Sequence, residues 1–318
     1  MSNQMLTPGA AADLSAAPGG RPKRGRRRDY VAGGRPLWLM SPTLVLLVLV
    51  IGVPFLIGAY ISFIQLDQYN LRTWVSSPFV GLRNYSHSLS AALLLHSIWI
   101  SLAFAVLTTA FGAPIGFLAA LAVNTRFRGR GLVRSLFLVP YVLPSFVTAT
   151  VWRFILRPDG VFNKVLGLHN MQWLIGPHSF WALVLVDIWA SWPFVYMMTL
   201  AGLQAIPDEL YEAADVDGVT WVKKIAFIVI PQIRHQLLLG LLLSTLNHFN
   251  NFTLPFVLFG TPAPNDVLTL QVNIYQTSFQ DFSFGLGSAM SVLSLILTLI
   301  PAFFYLRASR LTAAPGED

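Results

Sequence analysis

Residues Tyr211 to Pro231 read YEAADVDGVTWVKKIAFIVIP. They put an acidic polar insert between two long apolar segments, and five of the chain's fourteen acidic residues, Asp208, Glu209, Glu212, Asp215 and Asp217, fall within the ten positions 208–217 that lead into and open it. Lipid offers such a cluster nothing to bind, so a soluble partner on one membrane face is its natural receiver. Locally the stretch reads as two short helices joined near Gly218. Pro207 and Asp208 suit a helix start, and acids in the first turn complement the positive end of the helix dipole. Gly218 suits the left-handed conformation that ends a helix, and Pro231 is expected to interrupt the second helix before the next apolar segment. The product is a knob in which Ala213 and Ala214 leave little bulk and Glu212 presents a carboxylate to an arginine of the partner.

The rest of the composition fits a membrane setting. With 55% hydrophobic and 11% charged residues, the chain lies far below the roughly 25% charge of a soluble domain, and it reads as an all-α integral membrane protein. A spanning helix takes about 20 mainly apolar residues. Six stretches qualify: Leu37 to Ile64, Leu93 to Val123, Leu132 to Leu156, Phe180 to Leu203, Gln236 to Phe259 and Leu286 to Leu306. Pro54, Pro114, Pro140, Pro144, Pro193 and Pro255 within them predict kinked, bundled helices. The expected organisation is a disordered basic cytoplasmic tail at 1–36, a six-helix transmembrane domain at 37–311 with its polar loop at about 204–232, and a cytoplasmic tail at 312–318. The basic run RPKRGRRR, Arg21 to Arg28, reads as a positive-inside signal that also suits anionic lipid headgroups. The apolar span after it is too long for a signal-peptide core and has no small-residue cleavage site, so it is expected to stay as an anchor.

With the amino terminus in the cytoplasm, the inner segments hold 16 of the 21 Lys and Arg residues, and Arg72, Arg83, Arg153, Arg157 and Lys164 remain outside. That asymmetry orients the chain and puts the acidic loop inside. It also accounts for the net charge of +7 without nucleic acid. The absence of cysteine removes disulfides and thiol chemistry.

The order Glu212, Ala213, Ala214, three residues, Gly218, nine residues, then Ile228, Ile230 and Pro231 resembles the EAA loop of ABC importer permeases, the cytoplasmic loop that docks on an ATPase subunit. Further blocks are similar to carbohydrate-uptake permeases of the sugar and glycerol-phosphate branch: FVGLRNY (Phe79 to Tyr85), VPYVLPSFVTATVWRFILRPDGVFN (ending at Asn163), LAGLQAIPDELYEAA (Leu200 to Ala214), IYQTSF (Ile274 to Phe279) and GLGSAMS (Gly285 to Ser291). One departure is GTPAP, Gly260 to Pro264, where that branch commonly has a GGP turn. The resemblance covers nearly all of Leu37 to Leu311. It implies the type I ABC importer permease fold in a bacterial inner membrane, with six transmembrane helices and cytoplasmic coupling helices. It also implies ATPase coupling through Glu212, Ala213, Ala214, Asp217 and Gly218. The implied partners are a second homologous permease, two ATPase subunits and an extracytoplasmic solute-binding protein. ATP and Mg belong to the ATPases, with no cofactor in this chain.

A solute path is suggested by STLNHFNNF, Ser244 to Phe252. At 100° per residue Ser244, Asn247, His248 and Asn251 share one helix face, with Asn250 beside it. Polar groups in a span face the bundle interior or a wet cavity, and amides answer sugar hydroxyls because they both donate and accept. In disaccharide importers the positions matching Ser244, His248 and Asn251 line the substrate site, with Asn the expected occupant at His248. The alternative is a face of interhelical hydrogen bonds. In WASWPF, Trp189 to Phe194, Ser191 and Phe194 match substrate-facing positions, and the Trp rings either stack on a pyranose or simply pack. Asp187, the one acid well inside a span, is expected to pair with Arg153 rather than relay ions. The remaining histidines lack metal-site spacing.

Two other function classes compete. A phosphate loop of the form GxxxxGKS or GxxxxGKT is absent from the sequence, so ATP must be bound elsewhere. A membrane enzyme acting on a lipid-linked substrate would need an acid, base or nucleophile constellation, and neither GxSxG nor HExxH occurs. An ion-coupled secondary transporter would bring internal repeats and broken helices, neither of which is evident in the sequence.

Overall fold

The computed structural model describes residues 37–125 and 127–312, so the expectations for tails 1–36 and 313–318 lie outside the described residues. The chain divides into a unit ending at Gly52 and one starting at Val53. In the first, α1 (Leu37–Leu47) leads into a π-helical turn, Val48–Gly52. The second opens with α2 (Val53–Ile61), α3 (Arg83–Ser90), α4 (Ala92–Asn124), α5 (Arg130–Val142), α6 (Ser145–Ile155) and α7 (Val161–Leu166). It continues with α8 (Ser179–Gln204), α9 (Asp208–Val216), α10 (Trp221–Lys224), α11 (Ile230–Phe249), α12 (Thr253–Phe259), α13 (Leu270–Phe279) and α14 (Phe284–Thr312). Among the described residues a lone antiparallel bridge, Ile64 to Phe79, is the only strand-like pairing.

Five helical stretches are long and apolar enough to cross a membrane: Ser41–Ile61, Ala92–Asn124, Gly176–Gln204, Trp221–Phe249 and Phe284–Arg307. A sixth is obtained if α5 and α6, bent by 88°, count as one span. The six-span expectation holds on that count, with the third span broken rather than kinked. Leu143 is extended (φ −66, ψ 133) because the residue before a proline, here Pro144, is driven out of the helical region. Pro114 and Pro193 interrupt neither α4 nor α8; the proline effect concentrates at Pro144.

Two further expectations are corrected. The span Gln236 to Phe259 is not one helix, since α11 stops at Phe249 and α12 starts at Thr253. The stretch around IYQTSF contains an unforeseen helix, α13, which is too short to span. It is fixed to α4 by the Leu270 N–H donating to Ser101 Oγ (2.7 Å) and Asn273 Nδ2 donating to Ser97 Oγ (3.0 Å). The FVGLRNY block pins the end of α2, where Asn84 Nδ2 donates to the carbonyls of Ser62 and Ile64, each at 2.9 Å.

In the second unit α4, α8 and α11 pack on one another. Gly116 lets α4 meet α8, since a Cβ there would fall 2.7 Å from the Trp192 carbonyl oxygen and 2.8 Å from the Tyr196 nitrogen. Small residues at such crossings replace the missing hydrophobic drive between helices in lipid with close van der Waals contact. One apolar cluster gathers Phe104, Ala149, Leu183, Val186 and Leu258; another gathers Ala120, Val123, Leu203, Val229 and Ile233. On α8 the first draws on residues up to Ile188 and the second on residues from Trp192. Polar positions between and beside them open onto a cavity.

Candidate solute site and coupling loop

The cavity, about 400 Å³, forms where the two helix breaks meet. The α5–α6 break contributes Tyr141, Leu143, Ser145 and Thr148, α8 contributes Asp187, Ser191 and Phe194, and the end of α11 with its break contributes Ser244, Asn247, His248, Asn250, Asn251 and Phe252. All six positions expected on the solute path, Ser191, Phe194, Ser244, Asn247, His248 and Asn251, therefore line one space. Asn251 stays beside the last turn although α11 has ended, because its N–H donates to the His248 carbonyl at 3.1 Å. Helix breaks at a polar site, which the sequence reading associated with ion-coupled transport and did not find, are present.

A buried polar relay forms one wall. Spacing of four residues stacks Ser244 over His248 on α11, and Ser244 Oγ lies 3.0 Å from His248 Nε2. His248 Nδ1 approaches Asp187 Oδ2 at 2.6 Å, an ion-pair contact that lacks straight hydrogen-bond alignment. Asn251 Nδ2 donates to Asp187 Oδ1 at 3.3 Å. Ser244, His248 and Asp187 are each exposed by 5% or less. This overturns the expected Asp187–Arg153 pair: Arg153 Nη1 donates instead to the Val257 carbonyl at 3.4 Å, while Asp187 faces α11.

The amides divide by partner. Asn251 is engaged at both ends, because its Oδ1 also accepts from the Leu254 N–H at 3.2 Å. Asn250 makes the interhelical bonds of the alternative reading, accepting from Gln271 Nε2 at 3.1 Å and donating to Thr298 Oγ1 at 3.4 Å. Asn247 stays exposed. The tryptophans are packing residues, with Trp189 edge-on to Trp152 (5.7 Å) and Trp192 edge-on to Phe137 (5.4 Å). The aromatic faces at the cavity are Phe194, Tyr141 and Phe252. Sequence reasoning missed Tyr141, Thr148 and Phe252, and the signal available for the first was its position between Pro140 and Pro144.

In the acidic loop, α9 ends as expected. Gly218 has φ +68, the Val219 N–H donates to the Ala214 carbonyl (3.0 Å) and the Gly218 N–H to the Asp215 carbonyl (3.1 Å). These two bonds make a complete Schellman cap. Lys224 Nζ pairs with Asp215, tying α10 to α9. The second helix is not interrupted by Pro231. It runs from α10 through a π turn, Ile225–Val229, into α11, with Pro231 just past that turn inside the continuous stretch, where local π adjustment accommodates its missing N–H.

Glu212, Ala213, Asp217 and Gly218 are exposed. Ala214 is only 4% exposed, so the close approach it allows is to this chain's own helices, a correction to its expected place on the docking face. Val216, not singled out in the sequence, is 88% exposed beside the acids. The Tyr211 hydroxyl is buried without a partner. Burial, reinforced by the Asp208 carboxylate, raises its pKa above the usual 10.0. Among the described residues no cluster of three or more His, Asp or Glu residues could hold a metal.

Known proteins share this architecture and sequence. The family described as "Binding-protein-dependent transport system inner membrane component" matches residues 112–310. The trehalose/maltose transport system permease protein MalF of Thermococcus litoralis is 34% identical over 241 residues, covering 73% of this chain and 80% of that protein. The sn-glycerol-3-phosphate transport system permease protein UgpA of Brucella abortus is 29% identical over 277 residues, covering 86% and 93%. A crystal structure of a bacterial ABC transporter involved in import of the acidic polysaccharide alginate superimposes with a TM-score of 0.76 at 21% identity, covering 87% of this chain and 96% of that one. With more than half its length matched and its six-span helical fold shared, the chain belongs to the family of binding-protein-dependent transport system inner membrane components, the permease subunits of ABC importers.

Proposed function

We propose that this permease is one of two in an ATP-driven importer for a carbohydrate. Ser191, Phe194, Ser244, Asn247, His248 and Asn251 line its solute path, and Glu212, Ala213, Asp217 and Gly218 form the exposed part of the loop that an ATPase drives, with Ala214 seating that loop. The observation that carries the reading is continuity: the helical stretch Trp221–Phe249 runs from the acidic knob to the cavity, about 40 Å at 1.5 Å per residue. A push at the knob is thereby delivered to Ser244 and His248. Amides, hydroxyls and three aromatic faces around one cavity suit a sugar, whose hydroxyls need donors and acceptors and whose apolar ring face stacks on aromatics.

On this reading ATP and Mg sit on two partner ATPase subunits, and an extracytoplasmic solute-binding protein delivers the sugar. The Lys and Arg distribution supports a cytoplasmic place for both termini and the acidic loop. The carbohydrate relatives support the substrate class. The test is reconstitution of this chain with its cognate partner chains in proteoliposomes. ATP-dependent accumulation of a sugar supports the reading, whereas accumulation driven by an ion gradient without ATP contradicts it.

A further inference from the structure

The carbohydrate reading leaves open whether the solute is charged, since one relative is a trehalose/maltose permease, another serves glycerol-3-phosphate, and the alginate transporter takes an acidic polysaccharide. The cavity carries information on this. Among the described residues no Lys or Arg lines it, and its ionisable groups are Asp187, His248 and the Tyr141 phenol. His248 is the sole basic group among the described residues there, and it is already committed, at 2.6 Å from Asp187 and 3.0 Å from Ser244. With Asp187 ionised, the pair has a net charge of zero if His248 is protonated and minus one if it is neutral. Arg153, the next cation along α6, turns into a separate recess with Arg157 and donates to the Val257 carbonyl.

From this we infer that the cavity takes an uncharged carbohydrate, and that Asp187 is the positioning residue that holds His248 and Ser244 for it. The inference depends on the carbohydrate reading above and narrows it. A phosphate, sulfonate or carboxylate brought into this space would be desolvated beside a buried carboxylate with no cation to answer it. A neutral hydroxyl meets the opposite situation. Asp187 favours the His248 tautomer with its proton on Nδ1, which leaves Nε2 to accept from the Ser244 hydroxyl. Ser244 Oγ then keeps lone pairs for a solute O–H. Exposed Asn247 supplies both donor and acceptor to the next hydroxyl.

The test uses the complete transporter in proteoliposomes. It is supplied with a plant and yeast polysaccharide hydrolysate containing added maltose, trehalose, sn-glycerol 3-phosphate, glucose 6-phosphate and glucuronate, and the solutes accumulated with ATP are identified by mass spectrometry. Uncharged sugars are expected. Accumulation of a phosphorylated, sulfonated or carboxylated sugar at an equal or higher rate overturns the charge inference and leaves the carbohydrate reading standing. Accumulation of a peptide or amino acid instead overturns the carbohydrate reading itself. For the positioning role, Asp187→Asn is expected to raise the KM for the accumulated sugar about tenfold, the loss of about 1.4 kcal/mol of binding, while Vmax changes less than twofold. An unchanged KM, or a loss confined to Vmax, overturns that role. If Asp187→Asn does not assemble, Asp187→Glu, which keeps the charge but moves the carboxylate off His248, is read by the same KM criterion.

Discussion

Single side chains in this permease do different work from neighbours of the same type. Asn247 and Asn251 share a helix face in the sequence, yet Asn251 is held by Asp187 and by the Leu254 N–H while Asn247 is exposed at the cavity. Asn251→Leu strands a buried carboxylate oxygen and a backbone donor, and is expected to lower stability by about 1–3 kcal/mol. Asn247→Leu is expected to leave thermal unfolding unchanged and to raise the KM for solute. Unfolding midpoints that move equally for both would contradict this division. Tyr211 gives the converse case. Because its hydroxyl is buried and unpaired, Tyr211→Phe is expected to be neutral or stabilising by up to about 1 kcal/mol, and a clear drop in unfolding midpoint would show an unseen partner. The polar face itself was readable because four residues repeat at helical period. The partner of Asp187 was not, because His248 is 61 positions away and only the packing of α8 on α11 selects it over Arg153.

At the scale of elements, local rules set what could be read. The Schellman cap at Gly218 follows from a glycine after a helix with acids at its start, and the sequence shows both. The 88° bend between α5 and α6 was signalled by Pro144 but not its size, since neighbouring helices decide whether a proline kinks or breaks a span. The end of α11 at Phe249 had weaker notice, from the two asparagines that follow, and α13 had none because it is too short to count as a span. The crossing of α4 on α8 turns on Gly116, where a side chain meets backbone rather than a flexible neighbour. Gly116→Val is expected to destabilise the bundle by about 1–3 kcal/mol or more, seen as a lower unfolding midpoint in detergent and less protein in the membrane. Wild-type behaviour would mean that the two helices separate at little cost.

At the scale of the whole molecule, one helical stretch joins the acidic knob to the cavity. The six-span count was legible because hydropathy acts on long segments. The linkage was hidden, because Pro231 reads as a stop until the π turn before it is seen to carry the helix onward. If that linkage drives transport, the loop can be broken without touching the cavity. Gly218→Pro removes both the φ of +68 and the N–H bond to the Asp215 carbonyl, neither of which proline can supply, and Glu212→Lys reverses the exposed charge beside it. The decisive measurement is ATP-dependent sugar uptake by proteoliposomes holding the complete transporter with Gly218→Pro in this chain. The account predicts a transporter inserted in the membrane with uptake reduced at least tenfold and no sugar-stimulated ATP hydrolysis. Uptake and stimulation at the wild-type rate would contradict it.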